Sequence, residues 1–163
     1  HMLDKRSTLD VLEREGVAFE LAEHPAVFTV EQARQAKIPF AAYGAKNLFL
    51  RDDRHRAHYL VCLPDEKRVS LREVQERIGS RRLSFASETD LAGLLGLTPG
   101  SVTPLGTLND TSHGVEVILD EELVDRGSVA VHPCDNTATV LLAAQDLIDL
   151  LGRHDVPVRV IRL

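Results

Sequence analysis

The spacing of apolar residues divides the first third of the chain into a helix, a strand, a second helix and a hairpin. Leu9 and Leu12, three residues apart, predict an amphipathic helix that ends at Gly16. VAFELAEHP alternates as a strand does and ends at Pro25. The runs AKNLFLRD and AHYLVCLP are separated by a polar tetrapeptide, so together they predict a β-hairpin.

N-capping patterns predict where three of the helices begin. Thr29 and Ser70 are each followed three residues later by Gln or Glu, as in a capping box, and Ser87 occupies the same kind of position. Thr29 is therefore a cap first and a ligand-binding candidate second. The predicted helices cover 30–37, 70–79 and 87–96.

The second half of the chain is predominantly strand. GLTPGSVTPLGTL is predicted to be a loop with a little extended structure. RLSFAS, VEVILDEEL, SVAVHP, ATVLLA and VPVRVIRL are predicted strands, and AAQDLIDLLG is a predicted helix that stops at Gly152. Strands and helices alternate without a regular βαβ period. The pattern predicts a single domain over 1–163 of mixed α/β (α+β) class, with a largely antiparallel or mixed sheet flanked by helices.

One predicted strand is interrupted by HPCDNT, residues 132–137. Proline removes a ladder donor, and Asp, Asn and Thr favour local bonds between side chain and main chain, so the chain turns here between two strands. His132, Asn136 and Thr137 at such a turn fit either a plain hairpin corner or a ligand site.

The composition is that of an ordinary globular domain. The 163 residues are 44% hydrophobic, and no apolar run approaches the roughly 20 residues of a membrane span. There is no recognisable signal peptide, so we expect a cytoplasmic protein without a membrane partner whose Cys62 and Cys134 are reduced packing residues. His1 reads as a tag remnant, with Met2 as the native start.

The charge argues against a protein that grips long stretches of nucleic acid. The net charge is −6, and aromatic residues, which form stacking platforms for single strands, are scarce. We therefore expect no DNA partner. The cations are clustered, however, and a local basic face would suit a small footprint on the end of a nucleic acid; the alternative is a solvated helix face. The clustered cations are Arg51, Arg54, Arg56, Lys67, Arg68, Arg72, Arg77, Arg81 and Arg82.

The common catalytic signatures are missing. His55 and His58 are three apart, which on a strand directs them to opposite faces, and no cysteine pair or H-E-x-x-H motif is present. We find no G-x-S-x-G, phosphate loop or G-x-G-x-x-G. The sequence predicts no metal and no cofactor.

Lys46 occupies an unusual place, at the start of the otherwise apolar strand GAKNLFL and next to Asn47. Its ammonium could extend beyond the start of the strand while its methylene chain packs along the strand. The alternative is a lysine that protects a sheet edge from aggregation.

Three segments in this order, GAKNLFL, LTPGSVTPLG and GSVAVHPCDNTATVLL, resemble freestanding prolyl-tRNA editing proteins of the YbaK/ProX type, which are related to the editing domain inserted in bacterial prolyl-tRNA synthetases. The resemblance runs from about Leu9 to Leu151. It implies the fold of the aminoacyl-tRNA editing domain and hydrolysis of the ester in a misacylated tRNA. The form HP-x-x-NTAT resembles the alanine-clearing branch, which implies alanyl-tRNA(Pro) as substrate.

The resemblance also suggests which residues form the site. Lys46 and His132 are the catalytic candidates, with Lys46 supplying a cation for the terminal phosphate or the carbonyl. Main-chain N–H groups between Gly127 and Val131 and at the His132 turn are candidates for the oxyanion site. In this family the ribose 2′-hydroxyl assists the attack, which would explain why no general base stands out; Asp135 ranks low because it would cap its own turn. The expected substrate-binding residues are Thr29, Asn47, Gly127, Val131, Pro133, Asn136 and Thr137.

Alternative interpretations remain at this stage. The chain could be a non-catalytic module that binds the tRNA end, a deacylase for another small aminoacyl-tRNA, or an unrelated small-molecule binding domain. The expected partner is the acceptor end of tRNA(Pro), with prolyl-tRNA synthetase or an elongation factor as a transient partner. The sequence does not determine whether alanine, serine or glycine is preferred. It also does not determine which residues contact the acceptor stem, or the oligomeric state.

Overall fold

The computed structural model describes residues 2–163, so the predicted tag residue His1 lies outside the described residues. The strands are β1 (Phe19–Glu23), β2 (Ala45–Asp52), β3 (His58–Pro64), β4 (Leu83–Phe85), β5 (Val115–Asp120), β6 (Ser128–Val131), β7 (Ala138–Ala143) and β8 (Val158–Ile161). The α-helices are α1 (Lys5–Arg14), α2 (Val30–Gln35), α3 (Leu71–Ile78), α4 (Glu88–Asp90), α5 (Glu121–Asp125) and α6 (Ala144–Arg153). A π-helical turn (Leu91–Leu95) continues α4.

The strands form two sheets. One has three antiparallel strands in the order β1-β7-β6, and the other has five strands in the order β4-β2-β3-β5-β8. Within the larger sheet β2 pairs antiparallel with β3 and β4, while β5 pairs parallel with β3 and β8. The predicted mixed α/β class is confirmed, and the strands are divided between two sheets.

Several predicted turns and caps are confirmed. The hairpin of β2 and β3 and the hairpin of β6 and β7 both form. The Thr29 hydroxyl accepts a hydrogen bond from the main-chain N–H of Gln32 at 3.0 Å. The Gln32 side chain does not complete a capping box, because its oxygen accepts from the N–H of Phe28 at 2.8 Å instead. This bond fixes the chain just before α2.

Three segments differ from the sequence prediction. VEVILDEEL is not strand throughout, since Asp120 ends β5 and its buried carboxylate caps α5 through the N–H of Glu122 at 3.1 Å. Gly152 does not stop α6, which continues to Arg153 because the last turn is capped by main-chain bonds to Leu151 and Gly152. The predicted loop GLTPGSVTPLGTL contains two 3₁₀ helices (Pro99–Ser101 and Pro104–Asn109).

Apolar side chains cover both faces of the five-stranded sheet. On one face Leu50, Val61 and Leu63 pack against α3 through Val74 and Ile78. The opposite face forms a larger core with the three-stranded sheet, α1 and α6. Burial on both faces explains the continuous apolar runs of β3 and β5. Within residues 2–163 no helix is long and apolar enough to cross a membrane.

Candidate functional site

A cavity of about 550 Å³ opens where the two sheets meet. Gly44, the residue before β2, forms a parallel bridge with Ala130 of β6, and no further bridge joins these two segments within residues 2–163. Lys46 and Asn47 line the cavity from β2, and His132 lines it from the end of β6. We call this place the fork. Its volume is within the range of small-molecule sites.

Alternate residues of β6 direct their main-chain N–H and C=O groups at β7, and the residues between them direct these groups at the fork. The carbonyl of Gly127 accepts from the N–H of Ala144 at 2.9 Å, so Gly127 directs its polar groups at β7. Because these directions alternate along an antiparallel strand, Val131 also faces β7, whereas Ala130 and His132 face the opposite edge. The N–H of Val131, a candidate oxyanion donor, is therefore directed into the sheet, and the N–H of His132 is directed at the fork.

The same argument applies to β2. The carbonyl of Gly44 accepts from the N–H of Asp65 at 3.2 Å, on the β3 side. The carbonyl of Phe49 accepts from the N–H of Ala86 at 2.9 Å, on the other side. The direction of the main-chain polar groups alternates along the strand, so Asn47, two residues before Phe49, directs its groups the same way as Phe49. Its N–H is therefore directed away from β3 and toward the fork. Two main-chain donors, one from each strand, therefore converge on the gap between the strands.

Lys46 and Asn47 also contribute side chains to the cavity. Lys46 is half-buried, and the ion pairs formed within residues 2–163 do not include its ammonium. The Asn47 amide donates to the carbonyl of Val102 at 3.2 Å, and this contact joins β2 to the segment LTPGSVTPLG. Its oxygen Oδ1 is buried and has no partner within residues 2–163. A buried acceptor without a donor is costly, and this oxygen is closed to solvent although Asn47 lines the cavity.

The environment of His132 fixes its tautomer. Its Nδ1 lies 2.8 Å from the carbonyl oxygen of Ala138, which only accepts, so Nδ1 carries the proton. Burial lowers the pKa of His132, and the nearby ring of His24, whose centroid is 6.2 Å away, acts in the same direction. The ring is therefore neutral at pH 7, and Nε2 has a free lone pair.

The turn after His132 is held by its own side chains. Asp135 accepts from the N–H of Thr137 at 2.8 Å and from its hydroxyl at 2.5 Å. The hydroxyl contact contributes most to the lowered pKa of the Asp135 carboxylate. Asn136 donates to the carbonyl of Val27 at 3.1 Å, which ties the turn to the segment before α2. Asp135 thus occupies the capping role that its position predicts.

The structure brings five of the nine predicted site residues to the cavity wall. These are Thr29, Lys46, Asn47, Val131 and His132. Asn136 does not line the cavity but donates a hydrogen bond to Val27, which does. Gly127, Pro133 and Thr137 are not among the lining residues. Gly127 lies at the other end of β6, where its φ of 85° makes a turn.

Several lining residues were not identified from the sequence. They are Phe28, Arg34, Lys37, Phe40, Asp65, Glu66 and Gly100, among others. The hairpin register contained one usable signal, because pairing GAKNLFL with VCLPDE places Asp65 opposite Gly44. The residues of α2 and the segment after it carry no comparable signal, since their approach to the fork depends on tertiary packing.

Two carboxylates at the cavity rim have opposite environments. Burial, with the adjacent Glu66 carboxylate, raises the pKa of Asp65 to about 6. Contacts with Asp65 and with Arg126 lower the pKa of Glu66 to about 2, and the Arg126 guanidinium lies 2.7 Å from it. Arg126 also donates to the carbonyl of Ala42 at 3.3 Å. Glu66 therefore stays ionised and its charge is balanced by Arg126. Asp65, with its raised pKa, is the carboxylate of the pair that gains a proton near pH 6.

The predicted basic face is not at the fork. Arg54 and Arg56 lie in the turn after β2, roughly 20 Å along the strand from Lys46. Arg81 pairs with Asp53 at 2.6 Å, and Lys67 pairs with the buried Asp120 at 2.7 Å. The cations that line the cavity are Arg34, Lys37 and Lys46.

No group of three or more His, Cys, Asp or Glu within residues 2–163 is arranged to hold a metal ion. His55 lies in the turn between β2 and β3, with a φ of 55°. His58 stacks on Phe49 with a centroid distance of 5.6 Å, and its Nε2 lies 3.4 Å from the Asp90 carboxylate.

Comparisons with known proteins agree with the resemblance seen in the sequence. A family model described as an aminoacyl-tRNA editing domain matches residues 24–150. The chain is 45% identical over 143 residues to "Prolyl-tRNA editing protein ProX" of Acetoanaerobium sticklandii, covering 88% of this chain and 87% of that protein. It is 35% identical over 152 residues to "Prolyl-tRNA synthetase associated domain-containing protein 1" of Danio rerio, covering 91% of this chain and 82% of that protein.

The fold has solved counterparts as well. A crystal structure provisionally described as a trans-editing enzyme for prolyl tRNA synthetase superposes with a TM-score of 0.74 and 22% sequence identity. The match covers 100% of this chain and 98% of that chain. The predicted family resemblance is confirmed by the family model and by these relatives.

Proposed function

The chain belongs to the aminoacyl-tRNA editing domain family, and we propose that it is a deacylase that hydrolyses mischarged alanyl-tRNA(Pro). The observation that carries the proposal is the fork. There an ammonium without a carboxylate partner and two inward main-chain donors meet in one cavity. An aminoacyl ester is already activated, so a site that orients it and stabilises an oxyanion is sufficient for hydrolysis.

In the proposed reaction, water adds to the ester carbonyl carbon and the carbonyl electrons move onto its oxygen. The N–H groups of Asn47 and His132 face the fork and would donate to this oxyanion. The intermediate then collapses: the bond to the ribose oxygen breaks, the vicinal 2′-hydroxyl gives its proton to that oxygen, and the proton lost by the attacking water passes to the 2′-hydroxyl oxygen. The products are alanine and a tRNA with a free terminal diol.

The side chains have separate roles in this scheme. Lys46 binds the terminal phosphate or the developing charge, since its ammonium has no competing carboxylate partner within residues 2–163. The free Nε2 of His132 accepts a hydrogen bond from the 2′-hydroxyl and orients it. Thr29 contributes through α2, whose start it caps.

Two alternatives of the same family give different results in one assay. A deacylase for another small aminoacyl-tRNA would prefer a different amino acid, and a non-catalytic binding module would retain tRNA without releasing amino acid. The test is a panel of alanyl-, seryl-, glycyl-, cysteinyl- and prolyl-tRNA(Pro) incubated with the parent protein. We expect release of alanine far above the uncatalysed rate and retention of proline. Preferential release of another amino acid, or tight tRNA binding without release, contradicts the proposal.

We expect the reaction to be independent of metal. The proposed scheme uses main-chain donors, a lysine and the substrate hydroxyl, none of which needs an ion. Deacylation of alanyl-tRNA(Pro) should therefore proceed at the same rate after dialysis against EDTA. Magnesium is then restored equally to all samples so that the tRNA keeps its fold. A large loss that zinc reverses would contradict the scheme.

We expect binding of tRNA(Pro) to depend only moderately on salt. The cavity presents three cations, Arg34, Lys37 and Lys46, so few phosphates of the single-stranded end are neutralised. Three such contacts correspond to a slope of about −2 in log K against log salt. The dissociation constant measured between low and high KCl gives this slope directly. A slope several times steeper would mean that the protein covers much of the acceptor stem.

The proposed partner is the acceptor end of tRNA(Pro), in the cytoplasm. Prolyl-tRNA synthetase and an elongation factor are the proposed transient partners. The net charge of −6 fits a footprint confined to the tRNA end.

A further inference from the structure

Phe28 is an exposed aromatic side chain at the rim of the cavity. It is 69% exposed and lines the same cavity as Lys46 and His132. A large apolar ring in this position is informative, because phenylalanine is among the residues most often buried. Among residues 2–163 the comparable case is Phe85, which is 60% exposed on the edge strand β4 and does not line the cavity.

The ring of Phe28 is held in place although it is exposed. A Cβ on Gly100 would lie 2.6 Å from a ring carbon, so the ring rests against the bare Cα of this glycine. The main chain is fixed on both sides, by the bond from the Phe28 N–H to Gln32 at 2.8 Å and by the bond from Asn136 to Val27 at 3.1 Å. The exposed face is therefore preorganised, which lowers the entropic cost of binding a flat partner.

The position of Phe28 favours a nucleobase as its partner over the amino-acid side chain. A methyl group gains most from enclosure, and a ring that is 69% exposed encloses nothing. A base needs only one flat face, and bases stack on aromatic side chains whatever their sequence. The cations Arg34, Lys37 and Lys46 line the same cavity and can bind the phosphate group next to that base.

We propose that Phe28 is the platform on which the terminal adenine of the tRNA stacks, with its ring backed by Gly100. The inference rests on the proposed function, because the terminal base and the scissile ester are attached to the same ribose. Stacking at the rim would direct the ester into the fork. The contact is equally available in the ground state and in the transition state, so its loss should raise KM and leave kcat nearly unchanged.

The test compares two alanylated tRNA(Pro) acceptor-stem helices, one ending in adenosine and one whose terminal ribose lacks the base. For the adenosine substrate, we expect Phe28→Ala to raise KM about tenfold, because that is the typical effect of losing one stacked base. Phe28→Trp should keep the parent value. For the abasic substrate, parent and Phe28→Ala should be equal. The matched control is Phe85→Ala, which removes an equally exposed ring outside the cavity and should change neither substrate.

Three results would overturn the inference: a parental KM for Phe28→Ala, an equal loss on the abasic substrate, or full activity of Phe28→Leu, which is apolar but cannot stack. A second readout does not depend on catalysis. The trinucleotide CCA with 2-aminopurine as its last base should lose fluorescence on binding to the parent and not on binding to Phe28→Ala. If the parent fails to deacylate alanyl-tRNA(Pro) but quenches this probe, the proposed function fails and the stacking site stands. Equal quenching by parent and Phe28→Ala would refute the site.

Discussion

Replacing Lys46 with alanine should slow deacylation of alanyl-tRNA(Pro) about 100-fold or more. The ammonium has no carboxylate partner within residues 2–163 and Lys46 lines the cavity at the fork, so the substitution removes the cation that is adjacent in sequence to Asn47, the proposed oxyanion donor of β2. Losing one interaction of this kind with developing charge typically has an effect of this size. The thermal unfolding midpoint should hardly change, because a half-buried lysine at the start of a strand contributes little packing.

The chain offers a matched control for this substitution. Lys37 lines the same cavity but is exposed at the end of α2, so Lys37→Ala removes the same charge from a position where water screens it. Single-turnover rates of both variants separate a specific role of Lys46 from a general loss of positive charge. Equal rates for Lys46→Ala and the parent, with both folded, would remove Lys46 from the site.

Replacing His132 with glutamine should lower kcat/KM roughly 10- to 100-fold, since the free Nε2 no longer orients the substrate hydroxyl. The pH profile supplies a more specific readout. The pKa of His132 is lowered by burial, so the ring stays neutral until the pH falls below its ordinary value of about 6.5. The parent should keep its activity above that pH and lose it on further acidification, and the His132→Gln variant should lack this acid limb.

The acid limb needs one control, because Asp65 also titrates near pH 6 at the cavity rim. Asp65→Asn removes that group and should leave the limb in place. Loss of the limb in Asp65→Asn and its persistence in His132→Gln would assign the titration to Asp65 and contradict the role of His132.

The same pKa has a consequence for stability. The folded state holds His132 with a pKa below that of the unfolded chain, so the unfolded chain binds the proton more tightly. This histidine therefore contributes stability that is present above about pH 6.5 and is lost as the pH falls. His132→Gln should accordingly flatten the acid side of the plot of unfolding midpoint against pH.

Most of the local structure followed from the sequence because its causes are local. Thr29 and Ser70 cap helices through bonds that span three residues, and the two hairpins are set by adjacent apolar runs. The departure at Asp120 also involves a contact that is not local. Asp120 turns the chain into α5 while its carboxylate binds Lys67, more than fifty residues away in sequence.

The site was only partly predictable for the same reason. Lys46, Asn47 and His132 belong to segments that resemble a known family, and they meet at the fork. Which main-chain donors face the cavity depends on the phase of the strand pairing, and a one-residue shift would exchange them. The scarcity of aromatic residues argued against stacking, but composition does not show where one exposed ring such as Phe28 lies.

The central claim is that the fork hydrolyses the ester of alanyl-tRNA(Pro). The most direct test is the rate at which the parent protein releases labelled alanine from alanyl-tRNA(Pro), compared with release of labelled proline from prolyl-tRNA(Pro) and with both reactions without protein. We predict rapid loss of alanine, with proline released at the spontaneous rate. Spontaneous rates for both, at protein concentrations that saturate tRNA binding, would contradict the account.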